Sequence, residues 1–192
     1  MFDREFAATS VESLSAFQRG QVATACLVRV AALLDDRRVA VEFSTAARLV
    51  RQIRDAAVAR AEGGPDRTDL SALDRQVRDF LGPDDDPFEE LPGWGAWAMD
   101  ITSLADYVLR TWQRPEESAK NCFNVFLATY SIAGYLEDDS ESDDVPELAD
   151  AEFRRQMDDI SVLGGGGAWD GICQDSLTLA QSYLQWFQHI EA

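Results

Sequence analysis

The chain has 192 residues, of which 46% are hydrophobic, and a formal net charge of −18 at pH 7. That length suits one domain with a core of its own, and the apolar content argues against an intrinsically disordered chain. A charge this negative argues against direct binding to nucleic acid or anionic membranes, because phosphates demand clustered Lys and Arg.

The charge is divided unevenly. Residues 1–81 carry 12 Lys+Arg against 12 Asp+Glu, whereas residues 82–192 carry 5 against 23, so the whole deficit lies in the second part. A one-sided field steers a basic partner; it is also what an acidic, solubilising surface looks like. No apolar run is long enough to span a bilayer. The opening Met1-Phe2-Asp3-Arg4-Glu5-Phe6 lacks the basic-then-apolar order of a secretory signal, so a cytoplasmic protein is expected. Cys26, Cys122 and Cys173 are odd in number and widely spaced, which fits reduced core thiols better than disulfides or a zinc site.

The periodicity is helical almost throughout, and predicts an all-α, single-domain, bundle-like array of about seven helices. Thr9 and Glu12 read as a capping box for a first helix that places Leu14, Phe17, Val22, Cys26, Val30 and Leu33 or Leu34 on one face. A second helix is expected from about Val41 to Ala61 and ends at Gly63-Gly64-Pro65. A third, from Thr68 to Leu81, buries Leu70, Leu73, Val77, Phe80 and Leu81. The Pro- and Asp-rich run from Gly82 to Gly93, with Asp84, Asp85 and Asp86, reads as a connecting loop. The fourth helix, from Gly95 to Trp112, repeats Trp97, Ile101, Leu104 and Val108 at three- and four-residue intervals. Pro115 with Glu116 and Glu117 opens a fifth, where a fixed φ and negative charge suit the first turn. An acidic loop follows from Glu137 to Asp144. Pro146 opens a sixth helix reaching Leu163, Gly164–Gly167 reads as a hinge, and Trp169 to Ile190 forms the last helix.

Catalytic motifs are lacking. The single histidine, His189, sits three residues from the end, so no histidine triad or two-histidine metal site can be assembled. The run Asp138-Asp139-Ser140-Glu141-Ser142-Asp143-Asp144 fails the EF-hand pattern: its sixth position is Asp143 in place of Gly, and its twelfth is Ala149 in place of Glu. The Gly run lacks the Lys-Ser/Thr of a phosphate loop, and Ser176 has no identifiable base. Asp100 and Asp106 are the acids closest to an apolar stripe, and a buried carboxylate must be paired or protonated. All five tryptophans fall in the acidic part. Trp97, Trp112 and Trp186 lie on apolar stripes, whereas Trp94 and Trp169 stand beside glycines at helix starts, where an interface would place anchors.

Two segments carry a resemblance. Leu14-Ser15-Ala16-Phe17-Gln18 followed by Ala25-Cys26-Leu27-Val28-Arg29 resembles the opening helix of the YjaG-like bacterial family, a domain of unknown function. Gly93-Trp94-Gly95-Ala96-Trp97-Ala98-Met99-Asp100-Ile101 is similar to the start of that family's central helix. The resemblance implies an all-helical cytosolic bacterial protein and carries over no catalytic residue; similar helical domains occur beside toxin genes. The Arg-rich composition, the acidic loop and the Gly run depart from the family pattern.

The expected function is therefore that of an acidic protein-binding module, without cofactor or metal. Its concrete form is an immunity or antitoxin protein covering a basic toxin that acts on nucleic acid. Asp84, Asp85, Asp86, Glu137, Asp138, Asp139, Glu141, Asp143, Asp144, Asp158, Asp159 and Asp170 would supply the electrostatics, with Trp94 and Trp169 as anchors. The alternatives are a metal-dependent enzyme with a carboxylate-lined site near Asp100, and a structural homo-oligomer such as a dimer.

Overall fold

The computed structural model describes residues 2–64, 69–82, 93–138 and 147–190. Among these residues every regular element is helical and no strand occurs. The nine α-helices are α1 (Arg4–Glu12), α2 (Ala16–Ala31), α3 (Arg37–Glu42), α4 (Ser44–Ala61), α5 (Leu70–Leu81), α6 (Trp94–Gln113), α7 (Ser118–Asp138), α8 (Leu148–Gly164) and α9 (Trp169–Phe187). Short 3-10 turns occupy Ala32–Asp35 and Pro115–Glu117.

The count exceeds the expected seven because two expected helices begin earlier and divide. Thr9 is an interior residue of α1, whose N-cap is Asp3 accepting from the Phe6 amide. The capping box forms instead at Ser15, whose hydroxyl accepts from the Gln18 amide while the Gln18 side chain accepts from the Ser15 amide. Likewise the second expected helix divides at Phe43, whose backbone (φ −112°, ψ 42°) leaves the helical region between α3 and α4. Phe17, placed on an apolar stripe by its spacing, is 47% exposed and rests edge-on against Trp112.

Helix α2 is the axis of the molecule. Every residue from Gly20 to Ala31 is buried, and α4, α6, α7, α8 and α9 all pack on it. A helix enclosed on all sides must be apolar or small around its circumference, and Val22, Ala23, Ala25, Cys26, Leu27, Val28 and Val30 supply that surface. Gly20 lets α6 approach closely: a Cβ there would lie 2.6 Å from the Trp112 indole. That indole donates from Nε1 to the Thr24 hydroxyl at 3.0 Å.

Three polar side chains reach across to exposed helix ends. Arg19 donates to the carbonyls of Val11 and Glu12, capping α1, and to the Ser118 hydroxyl at the start of α7. Gln18 donates to the Leu163 carbonyl near the end of α8. Arg38 donates to the carbonyls of Phe187 and Ile190, tying the end of α9 to α3. Each satisfies acceptors that a terminating helix leaves free. The expected hinge at Gly164–Gly167 closes α8 instead: Gly166 has φ +80°, and the amides of Gly165, Gly166 and Gly167 return to the carbonyls of Ser161, Leu163 and Val162.

Candidate functional site

The acidic half of the chain is divided between surface and interior. Asp138, Asp158 and Asp170 are exposed, and Glu137 is half-buried, with its carboxylate accepting from the Ala149 amide at 3.4 Å. Asp84, Asp85, Asp86, Asp139, Glu141, Asp143 and Asp144 lie outside the described residues. Two expected surface residues are inside. Asp159 is 3% exposed and ion-paired with Arg29, and Trp169 is 6% exposed within the core. Trp94 is half-buried, its ring 5.1 Å from Phe187 and capped by the Arg38 guanidinium at 4.3 Å. That stacking fastens α6, α3 and the end of α9 together, since a guanidinium over an indole face is favourable.

Beneath this surface lies a polar cluster that the sequence reading did not assemble. Arg29, in the middle of α2, is fully buried. Its Nε and Nη2 donate to Glu152 Oε1 at 3.1 and 2.9 Å, and its Nη1 donates to Asp159 Oδ2 at 2.8 Å and to the Ser176 hydroxyl at 3.2 Å. Nη2 also points at the Cys26 sulfur, 3.1 Å away. Glu152 Oε1 takes a further donor from Gln156, and Oε2 takes the Tyr183 hydroxyl at 2.9 Å. One buried cation thus binds α2 to α8 through two carboxylates and to α9 through the Ser176 hydroxyl.

The local sequence explains the geometry. Glu152, Gln156 and Asp159 recur at four- and three-residue spacing, so α8 presents them on one face, and Ser176 and Tyr183 are seven residues apart on α9. Burial works against the guanidinium's charge, but Glu152, Cys26 and Asp159 outweigh it and hold the Arg29 pKa well above its ordinary value. Burial dominates at Asp159 and raises its pKa despite Arg29. It likewise raises Cys26 and Tyr183, keeping thiol and phenol protonated. Cys26, Arg29, Glu152, Asp159, Ser176 and Tyr183 are all buried, and the cluster orients and locks the helices that carry them.

The acids near α6 are arranged differently from expectation. Asp100 is exposed, with its pKa raised by partial desolvation, whereas Asp106 is the buried one and pairs with Arg110 one turn on. Among the described residues, no group of three or more His, Cys, Asp or Glu is placed to hold a metal ion. Among the described residues, no such group of acids converges at Asp100. Cys122 is buried, with its pKa pushed up to about 12 by desolvation. Among the described residues, no helix is long and apolar enough to cross a membrane.

In comparisons with known proteins, no family model matches the chain, and no curated protein or solved structure shows significant similarity to it.

Proposed function

We propose that the protein is an acidic protein-binding module whose second half engages a basic protein surface, as an immunity or antitoxin protein engages a toxin acting on nucleic acid. The observation that carries this reading is the confinement of the entire −18 to residues 82–192. A toxin that grips phosphates must present Lys and Arg, and an acidic inhibitor is drawn to that surface and shields it from substrate. Asp138, Asp158 and Asp170 are exposed and therefore available to such a partner. Asp159 is withdrawn from the set because Arg29 already holds it. The resemblance to the YjaG-like family belongs to the same proposal, and supplies a bacterial, cytoplasmic setting.

The test is association with the product of an adjacent gene, followed by surface plasmon resonance at rising ionic strength. The on-rate should fall steeply with salt, because exposed charges are screened within ~10 Å at 0.1 M. Charge reversal at Asp138, Asp158 and Asp170 should lower the on-rate more than it raises the off-rate. Equal on-rates at low and high salt would overturn the reading. A structural homo-oligomer would instead appear as a multiple of 21.3 kDa in light scattering.

A further inference from the structure

Helices α4 and α9 both pack on α2 and leave a trough of about 380 Å³ between them. Val28 of α2 forms its floor, Val58 and Ala59 of α4 make one wall, and Cys173 and Leu177, one turn apart on α9, make the other. Leu177 is 46% exposed although it belongs to this apolar surface. Charge gathers along the edge. Arg54 and Asp55 neutralise each other, the arginine Nε and Nη2 donating to Asp55 Oδ1 at 3.0 and 2.8 Å. Glu62, just past the end of α4, and Asp170, one turn before Cys173, are exposed and have no ion pair among the described residues. Partial burial raises the Cys173 pKa, and the nearby charges of Glu62 and Asp170 raise it further. The trough is thus apolar at its floor and net negative at its rim.

We propose that this trough receives an amphipathic helix of a basic protein partner, with the apolar face on Val28, Val58 and Leu177 and the Lys or Arg residues beside Glu62 and Asp170. The proposal rests on the reading of the protein as a binder of basic surfaces, and names the element that is bound. Charge complementarity selects the occupant: both rim carboxylates repel an acidic segment and attract a basic one. Shape selects a helix. A small ligand needs a pocket that encloses about 70–90% of its surface, whereas this trough is open on one side. A helix has to bury one face alone, and its anchors at three- and four-residue spacing match the ridges that α4 and α9 present.

Cys173 supplies the reporter, being half-exposed in the trough while Cys26 and Cys122 are buried. The probe is a leucine–lysine peptide of about 18 residues, long enough to hold a helix, with its leucines on one face. Its controls are a scrambled peptide of the same composition and a version with glutamate in place of lysine. Titrated into the full chain, the amphipathic lysine peptide should bind saturably and slow N-ethylmaleimide alkylation of Cys173, read by mass spectrometry, by about tenfold, as a seated hot-spot contact excludes water and reagent. The scrambled peptide should bind about tenfold more weakly, and the glutamate peptide should not bind. Leu177→Arg should weaken binding about tenfold and Asp170→Asn about threefold, while Asp138→Asn, which removes the same charge elsewhere, leaves it unchanged. Absence of saturable binding, equal binding of the scrambled peptide, or equal effects of Asp170→Asn and Asp138→Asn would overturn the proposal. Protection of Cys173 by n-decanol as strong as by the peptide would assign a small apolar ligand instead. Protection on raising the protein concentration alone, with a doubling of the 21.3 kDa mass, would assign a second copy; either result also overturns it. The two readings fail separately. An adjacent-gene product that binds with a salt-dependent on-rate yet leaves Cys173 alkylation unchanged sinks the trough alone, whereas peptide protection without any binding of that product sinks the antitoxin reading alone.

Discussion

Arg29 shows how much a single residue can fix. Its guanidinium is enclosed by Glu152, Asp159, Ser176 and Cys26, so removing it strands two carboxylates in the core. Arg29→Met is predicted to destabilise the fold by about 3–5 kcal/mol, read by urea denaturation, since breaking a buried pair leaves an uncompensated charge. Tyr183→Phe removes only one donor to Glu152 and should cost about 1–2 kcal/mol. If the two variants were equally mild, the cluster would not be holding α2 to α8 and α9. Gly20 sets a steric limit of the same local kind. Gly20→Ala forces a Cβ against the Trp112 indole and should cost about 1–3 kcal/mol by overpacking, an effect a melting curve would resolve.

At the level of the helix, the ends decide where each element stops. Ser15→Ala removes one half of the capping box and should cost about 1 kcal/mol. Gly166→Ala should destabilise the α8 terminus by about 1 kcal/mol, because φ +80° suits glycine and strains any residue with a Cβ. Hydrogen exchange at the Gly165–Gly167 amides would localise that loss; unchanged protection there would contradict the capping role. The helix periods were readable from sequence because one face of each helix meets the core. The boundaries were less readable, since Thr9 and Ser15 both offer a hydroxyl three residues before a Glu or Gln. Ser15 prevails because Gln18 both completes its box and reaches the Leu163 carbonyl of a distant helix.

Over the whole molecule, charge and stability are linked through pH. Burial raises the pKa of Asp159 and Asp106 above the ordinary carboxylate range, Arg29 and Arg110 notwithstanding. A raised folded-state pKa means that the fold retains a proton the unfolded chain releases; this stabilisation is full below the unfolded value, about 3.9, and is lost as pH rises through the folded one. Asp36 has the opposite sign: burial opposes ionisation, but hydrogen bonds from Arg38 outweigh it and lower the pKa, so its contribution is lost as the medium becomes strongly acidic. These contributions to the melting temperature should therefore be greatest near the unfolded carboxyl value, about 3.9, and decline as pH rises above it, a trend reinforced by the repulsion within residues 82–192. Asp159→Asn should flatten the decline; an unchanged pH profile in that variant would refute the assignment.

Composition and periodicity were enough to establish that this chain is helical and acid-rich, because those properties depend on residue type and on spacing along one helix. The signal for the buried cluster was also present, as a lone Arg29 within an otherwise uncharged segment and as Glu152, Gln156 and Asp159 on one face of α8. What the sequence could not show was that these faces meet. Residues 29, 152, 159 and 176 are brought together by the packing of α8 and α9 on α2, which also turned Asp159 and Trp169 inward. A carboxylate or an indole reads the same at a helix surface and at a helix interface, and only the tertiary arrangement decides whether water or an arginine faces it.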